Sequence, residues 1–125
     1  MTIHEVTLSS VAASLSRLYH EHQTLCERLG DIDVKATKAR EDYSMAYQVE
    51  YIRLSDEREN GKPLAVETRK ARAFVATRDL RVKAEGYECS LRDVKQKIKS
   101  VEIGIDAARS AGSLVKAEIE LAKAA

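Results

Sequence analysis

Histidines, cysteines and closely spaced acidic residues are the side chains of this 125-residue chain whose chemistry could support catalysis or metal binding. His20 and His22 are two positions apart and point to different helix faces, which does not suit a shared metal ion. Cys26 and Cys89 form no CxxC pair and stand beside no plausible base, so we expect small buried thiols in a reducing compartment. Without a glycine-rich phosphate loop or a zinc spacing, the sequence predicts a protein that is not an enzyme and uses no cofactor, metal or small-molecule substrate.

Three tyrosines at a four-residue spacing point to a different chemistry. On a helix, Tyr43, Tyr47 and Tyr51 would form one ribbon of rings that drifts about 40° per step. Basic side chains that neutralise phosphates, next to rings on which bases stack, are what a groove for single-stranded nucleic acid needs. The alternative is that the rings belong to the core or contact a neighbouring subunit, which is compatible with nucleic-acid binding if the subunits form a ring. The basic and aromatic residues near them are Lys35, Lys38, Arg40 and Arg53 and, across a predicted turn, Lys62, Arg69, Lys70, Arg72 and Phe74.

Charge is unevenly distributed along the chain, although the formal net charge is only +1. Residues 62–99 contain 11 basic and 5 acidic residues, whereas residues 1–61 contain 7 basic and 11 acidic residues. This asymmetry favours an anionic partner for the second half, and ordinary charged helix surface would produce the same pattern.

Apolar residues recur with a heptad period along two long segments, and the sequence therefore predicts an all-α fold. From Leu8, steps of three and four residues reach Glu50, and only His22 and Glu50 on that path are polar. The same stepping from Val66 reaches Ala108. Two long helices are the simplest reading of the two series.

A turn near residue 60 is predicted between the two series, because Gly61 accepts a positive φ and Pro63 is tolerated in a first helical turn. Folding back there would set residues whose numbers sum to about 123 opposite each other, for example Leu18 and Ile105. We predict one helical domain over residues 1–125, a long antiparallel, coiled-coil-like hairpin. Its elements are helix one at about 8–57, the turn at about 58–63, helix two at about 64–109 and a short C-terminal helix at about 113–124.

A two-helix hairpin buries little apolar surface per residue, so several apolar side chains far from the turn need further partners. Self-association would supply them, and the chain is expected to be a homo-oligomer. The predicted interface residues are Leu8, Val11, Ile103, Leu114, Val115, Ile119 and Leu121.

No apolar run approaches the roughly 18 residues of a membrane helix, and the first ten residues lack the basic region and apolar core of a signal peptide. The expected location is the cytoplasm, with no membrane partner.

Two segments, VKATKAREDYSMAYQ and ARAFVATRDLRVKAEGYECSLRDVKQKIKSVEIGIDAARS, are joined by an acid- and base-rich turn. Together they resemble the small helical proteins of tailed phages that include UvsY-type recombination mediators. The resemblance covers residues 34–110 and rests on helical texture and on the placement of Arg40, Tyr43, the turn, Asp79 and Tyr87.

This resemblance implies a non-enzymatic oligomer, commonly a ring, that binds single-stranded DNA in the host-cell cytoplasm. Such a protein helps load a recombinase onto strands held by single-strand-binding protein. The positions that the resemblance marks as phosphate or base contacts are Lys35, Lys38, Arg40, Tyr43, Arg69, Lys70, Arg72, Arg78, Arg81 and Lys83.

A coiled-coil protein that binds or inhibits another protein is the competing function, for instance a phage-encoded blocker of a host nuclease or defence factor. Its working surface would be the acidic face of helix one, which would imitate DNA phosphates. The acidic residues concerned are Glu21, Glu27, Asp31, Asp33, Glu41 and Asp42.

Overall fold

The computed structural model describes residues 7–124, and over these residues the fold is all-α, as predicted, apart from two very short strands. None of the helices in this part of the chain combines the length and hydrophobicity needed to cross a membrane. In chain order the elements are α1 Leu8–Arg53, a 3-10 turn Leu54–Asp56, strands β1 Arg58–Glu59 and β2 Lys62–Pro63, α2 Val66–Ala76 and α3 Arg78–Ala124.

Helix α1 begins with reciprocal hydrogen bonds between Thr7 and Ser10. The Ser10 backbone N–H donates to Thr7 Oγ1 at 3.1 Å, and the Thr7 backbone N–H donates to Ser10 Oγ at 3.0 Å. Thr7 is the N-cap, and Ser10 takes the place that Glu or Gln has in a capping box. Two backbone donors that a helix start leaves unpaired are thereby satisfied.

The predicted turn near residue 60 is confirmed, and it is a hairpin turn. Asn60 (φ 53°) and Gly61 (φ 77°) both have positive φ and connect the antiparallel strands β1 and β2. Positive φ at both central residues is the geometry of a type I′ turn, for which Asn-Gly is the preferred pair. The Asn-Gly dipeptide was the signal for these strands, which the helical pattern does not reveal.

Helix α1 ends at Arg53, four residues before the predicted boundary, because the chain tightens into the 3-10 turn. Glu57 is already extended (φ −79°, ψ 148°), and the Ser55 hydroxyl donates to the Ile52 carbonyl at 2.6 Å. The 3-10 turn buries Leu54, which is 2% exposed, and the tightening is the conformation that places this side chain in the interior.

The prediction of one continuous helix two is wrong at Thr77, which separates α2 from α3 (φ −105°, ψ 18°). The Thr77 hydroxyl donates to the Ala73 carbonyl at 2.7 Å, a local bond that competes with the helical pattern. Thr77 is buried and occupies a heptad position. The apolar periodicity therefore passes through the break without showing it.

The prediction of a separate helix after Gly112 is also wrong, because α3 continues through this residue to Ala124. A Cβ at Gly112 would lie 3.2 Å from Val11 Cγ1, so glycine permits a close approach that a side chain would obstruct. Packing against α1 thus offsets the roughly 1 kcal/mol that glycine costs inside a helix.

Contacts divide the chain into two compact units. The turn unit is Gly30–Arg92, and the terminal unit joins the chain up to Leu29 with the chain from Asp93 onward. In both units the buried apolar residues fall mainly on the two heptad series. They are Ala36, Ala39, Leu54, Leu64, Ala73, Ala84 and Leu91 in the turn unit, and Val11, Val94, Val101 and Ile105 in the terminal unit.

Within the terminal unit the paired segments run in opposite directions. Leu18 lies against Gly104, and Val11, seven residues earlier, lies against Gly112. His22 also contacts Glu102, with 3.7 Å between Nε2 and Oε1. The residue numbers in these three pairs sum to 122, 123 and 124.

Two glycine substitutions should change stability in opposite directions. Gly61→Ala should lower the free energy of unfolding by about 1 kcal/mol, because an alanine at positive φ is strained. Gly30→Ala, inside α1, should raise it by about 0.5 to 1 kcal/mol through helix propensity. Nothing lies within 4 Å of a Cβ at either site, so packing does not contribute. Urea titration followed by circular dichroism measures both, and shifts of the same sign would contradict the turn geometry.

Candidate nucleic-acid interface

Tyr43, Tyr47 and Tyr51 form the ribbon that their spacing predicts, in the turn unit. The centroids of Tyr43 and Tyr47 are 6.3 Å apart with planes tilted by 47°, and those of Tyr47 and Tyr51 are 6.4 Å apart with nearly parallel planes. All three side chains are partly buried. The rings contact one another and are not three separate platforms.

The two rings nearest the turn also belong to a small core. Tyr47 and Tyr51 pack against the buried side chains of Leu54, Leu64 and Ala73. Of the alternatives that the sequence leaves open, this packing favours core for Tyr47 and Tyr51.

Arg69 covers one face of the Tyr51 ring. Its guanidinium carbon is 4.0 Å from the ring centroid, a cation–π contact, and Nη2 donates to the Tyr51 carbonyl at 2.9 Å. Arg69 Nε is buried and has no hydrogen-bond partner among residues 7–124. The Arg69 guanidinium is therefore held against Tyr51, and the ring face beneath it is not accessible to a stacking base.

Five of the predicted basic contacts form ion pairs with carboxylates. Every one of these pairs is at least partly exposed, and an exposed pair contributes at most about 1 kcal/mol of stability. A phosphate could therefore replace the carboxylate at little cost in free energy. The pairs are Lys38 with Asp42, Arg40 with Glu88, Lys70 with Glu67, Arg72 with Glu57 and Arg78 with Asp79, at N–O distances from 3.0 to 3.8 Å.

Arg81, a further predicted contact, lies over the ring of Phe74. Its guanidinium carbon is 3.4 Å from the ring centroid, and Nη1 donates to the Phe74 carbonyl at 2.8 Å. Phe74 is 48% exposed, so the stacked pair is on the surface of the turn unit. Phe74 belongs to α2 and Arg81 to α3, so this contact spans the break at Thr77.

A network of alternating charges near the turn holds Arg72 in place. Arg53 donates to Glu50 at 3.1 Å and to Glu57 at 3.1 Å, and Arg72 Nη1 donates to the other Glu57 oxygen at 3.2 Å. The hydrogen bond from Arg53 holds the pKa of the Glu50 carboxyl below its usual value, and the same bond raises the pKa of Arg53. These groups line a cavity of about 750 Å³ and largely neutralise one another.

Lys35, Lys38, Lys83 and Tyr87 meet at one shallow groove between α1 and α3 in the turn unit, here called the lysine groove. It has a volume of about 70 Å³, and Asp42 is the one carboxylate in its lining. Among the described residues, Lys35 and Lys83 form no ion pair, and both are exposed. The groove therefore brings together the predicted cations that remain available for a phosphate.

The predicted oligomer-interface residues differ in accessibility. Val11 is already buried within the terminal unit and Val115 is partly buried. The others keep between 38% and 72% of their side-chain surface exposed, and these are Leu8, Ile103, Leu114, Ile119 and Leu121.

Both cysteines are exposed, so the expectation of buried thiols is wrong. Cys26 follows the heptad position Leu25 by one residue, which turns its thiol away from the interior. Its Sγ lies 3.7 Å from His22 Nδ1, so the expectation of no neighbouring base is wrong as well. The four-residue spacing of His22 and Cys26 in the sequence, which places both on one helix face, is the signal that indicates this contact.

Within residues 7–124, no three His, Cys, Asp or Glu side chains are arranged to hold a metal ion.

Comparisons with protein-family models, curated proteins and solved structures give no match for this chain. The likeness to UvsY-type mediators therefore stays a resemblance of residues and helical pattern.

Removing the Tyr51 ring should destabilise the protein, because the ring packs on the Leu54 core and carries Arg69. We expect Tyr51→Ala to lower the free energy of unfolding by about 2 kcal/mol, and Tyr51→Phe, which keeps the ring, to change it by less than about 0.5 kcal/mol. Met45→Ala, at a 70% exposed position of the same helix, is the matched control. Chemical denaturation measures all three, and equal effects of Tyr51→Ala and Met45→Ala would contradict a core role.

Proposed function

We propose that this chain is a non-enzymatic helical protein that binds single-stranded DNA as a homo-oligomer and acts as a recombination mediator. In this role it assists the loading of a recombinase onto strands covered by single-strand-binding protein. The observation that carries the proposal is the lysine groove, where Lys35 and Lys83, which form no ion pair within residues 7–124, line the groove together with Tyr87.

Binding would begin with the phosphates of the strand. Ammonium groups at Lys35 and Lys83 neutralise them and release counterions, which supplies affinity without sequence preference. Lys38 joins when its exposed pair with Asp42 opens, since that pair contributes little. The Tyr87 ring is partly buried and offers an adjacent surface for a base. Such a site would bind along the phosphate backbone of the strand without sequence preference.

Self-association strengthens such a site. One groove with three lysines is weak, whereas several grooves on one oligomer bind the same strand with a high effective concentration. The antiparallel contacts of Leu18 with Gly104 and Val11 with Gly112 support a hairpin as the repeating subunit. Exposed Leu114 and Leu121 support further apolar contacts between subunits.

Lys35→Gln/Lys83→Gln should weaken oligothymidine binding and flatten its dependence on salt. Losing two phosphate contacts should reduce the slope of log K against log salt by about 1.4, given a slope of about 0.7 per contact on single strands. The control is Lys95→Gln/Lys99→Gln, which removes the same charge from exposed positions of the terminal unit. Fluorescence anisotropy at several salt concentrations measures both, and equal slopes for the two variants would reject the lysine groove as the DNA site.

Leu114→Asp/Ile119→Asp should dissociate the oligomer, because two carboxylates would be buried at an apolar interface. Native mass spectrometry, with and without oligothymidine, measures the subunit number and DNA uptake together. Val34→Asp, at a 70% exposed position outside the predicted interface, should leave the subunit number unchanged. An unchanged subunit number in the Leu114/Ile119 variant would contradict this placement of the interface.

A second candidate function is binding and inhibition of another protein, for example a host nuclease or defence factor, with the acidic face of α1 imitating DNA. It is favoured by Glu41, Asp31 and Asp33, which are exposed and form no ion pair among the described residues. A basic protein is the occupant that this charge would attract. The two functions separate in the native mass spectrometry above, because an inhibitor of this kind would not take up oligothymidine.

A further inference from the structure

A thiol, an imidazole and a carboxylate lie in a row in the terminal unit. Cys26 Sγ is 3.7 Å from His22 Nδ1, and His22 Nε2 is 3.7 Å from a carboxylate oxygen of Glu102. Cys26 is exposed, and the side chains of His22 and Glu102 are 35% and 57% exposed. The thiol is therefore next to a base and open to an incoming molecule.

The Glu102 carboxylate determines which imidazole nitrogen carries the proton. It favours a proton on Nε2, where the N–H can point toward the carboxylate, and Nδ1 is then the acceptor that faces the Cys26 thiol. A nucleophile within reach of a base that a third group orients is the arrangement that activates a cysteine. His22 and Cys26 belong to α1 and Glu102 to α3, so folding of the terminal unit assembles the row.

His22 and Glu102 also line a cavity of about 260 Å³. The other charged residues in its lining are Asp106 and Arg109, and Arg109 Nε donates to the Tyr19 hydroxyl at 3.1 Å. The cavity provides space beside the imidazole for part of a small molecule.

Cys89 offers a comparison within the same chain. It is also exposed, lies in the turn unit, and accepts a hydrogen bond at 3.1 Å from Arg92 Nη2. A guanidinium can stabilise a thiolate, but it cannot accept the thiol proton. The histidine contact of Cys26 therefore adds a proton acceptor, which the Arg92 contact of Cys89 does not provide.

We propose that Cys26 is a modification site that takes up a low-molecular-weight thiol from a disulfide, with His22 as the base and Glu102 as a positioning residue. His22 Nδ1 accepts the thiol proton, and Cys26 Sγ attacks one sulfur of the disulfide. A new S–S bond forms to Cys26 as the S–S bond of the disulfide breaks. The leaving sulfur departs with the electron pair and takes the proton from the imidazolium. Cys26 is thereby oxidised and the disulfide reduced, independently of DNA binding and of self-association.

Glutathione disulfide is the probe that tests this site on the full chain. In Cys89→Ser, which keeps Cys26 as the single cysteine, it should add one glutathione per chain, and dithiothreitol should remove it. His22→Gln in this background should lower the rate at pH 7 by at least about tenfold, because general-base catalysis typically contributes about a hundredfold or more. Glu102→Gln should lower the rate by about threefold, since an exposed ion pair contributes little. Intact mass spectrometry over time measures the three rates.

The pH dependence separates a chemical role from a structural one. Above about pH 9 thiols ionise without a neighbouring base, so the three rates should converge there. A substitution that only disturbed folding or access would lower the rate at every pH, and circular dichroism on the same samples reports any loss of helix. The matched control is His22→Gln in a Cys26→Ser chain, where the rate at Cys89 should not change.

Each contrary result overturns a defined part of the proposal. Absence of an adduct on Cys26 would overturn the site. Equal rates with and without His22→Gln at pH 7, or a difference that persists above about pH 9, would overturn His22 as the base. An unchanged rate in Glu102→Gln would overturn the positioning role of the carboxylate.

Discussion

Small side chains at the contacts between paired helical segments are the constraint on which the rest of the structure depends. Ala36, Ala39, Ala73 and Ala84 are buried in the turn unit, and glycine at position 112 lets α3 meet Val11 in the terminal unit. Alanine and glycine allow close approach but contribute little apolar volume. Larger side chains are consequently placed at the edges of these contacts, where they are partly exposed, and the tyrosine ribbon is one result.

The heptad pattern predicts the fold well because it reports which side of a helix is buried, and residues such as Leu91, Val94 and Ile105 are buried as the pattern requires. It cannot report a change in backbone conformation that leaves the pattern intact. Thr77 is in phase with its neighbours, so the break between α2 and α3 depends on a hydroxyl hydrogen bond that periodicity does not encode. At Gly112 the error is the opposite one, because the sequence predicts a helix boundary that is absent. The cost of glycine inside a helix can be read from the sequence, whereas its contact with Val11 cannot.

At the candidate site, the type of a residue alone does not predict whether it is available for a phosphate. The ion pairs and stacking contacts that the residue forms decide this. Arg69 and Lys35 are both predicted phosphate contacts, yet Arg69 is stacked on Tyr51 and Lys35 is free of ion pairs within the described residues. Which cation remains available depends on contacts between residues far apart in the chain, such as Arg40 with Glu88. Ion pairs between the two halves run in both senses, Glu57 with Arg72 and Arg40 with Glu88, so they do not follow the charge asymmetry of the sequence.

The break at Thr77 has a consequence for how the turn unit holds together. It leaves α2 as a helix of 11 residues between a tight turn and a non-helical residue. A helix of this length is marginal in water by itself, so α2 depends on packing for its persistence. Ala73 of α2 is packed with Leu54 and Leu64, against which Tyr47 and Tyr51 lie. The aromatic residues that first suggest a ligand are thus the anchor that keeps the shortest helix folded, and opening of α2 would proceed as one cooperative event with release of Tyr51.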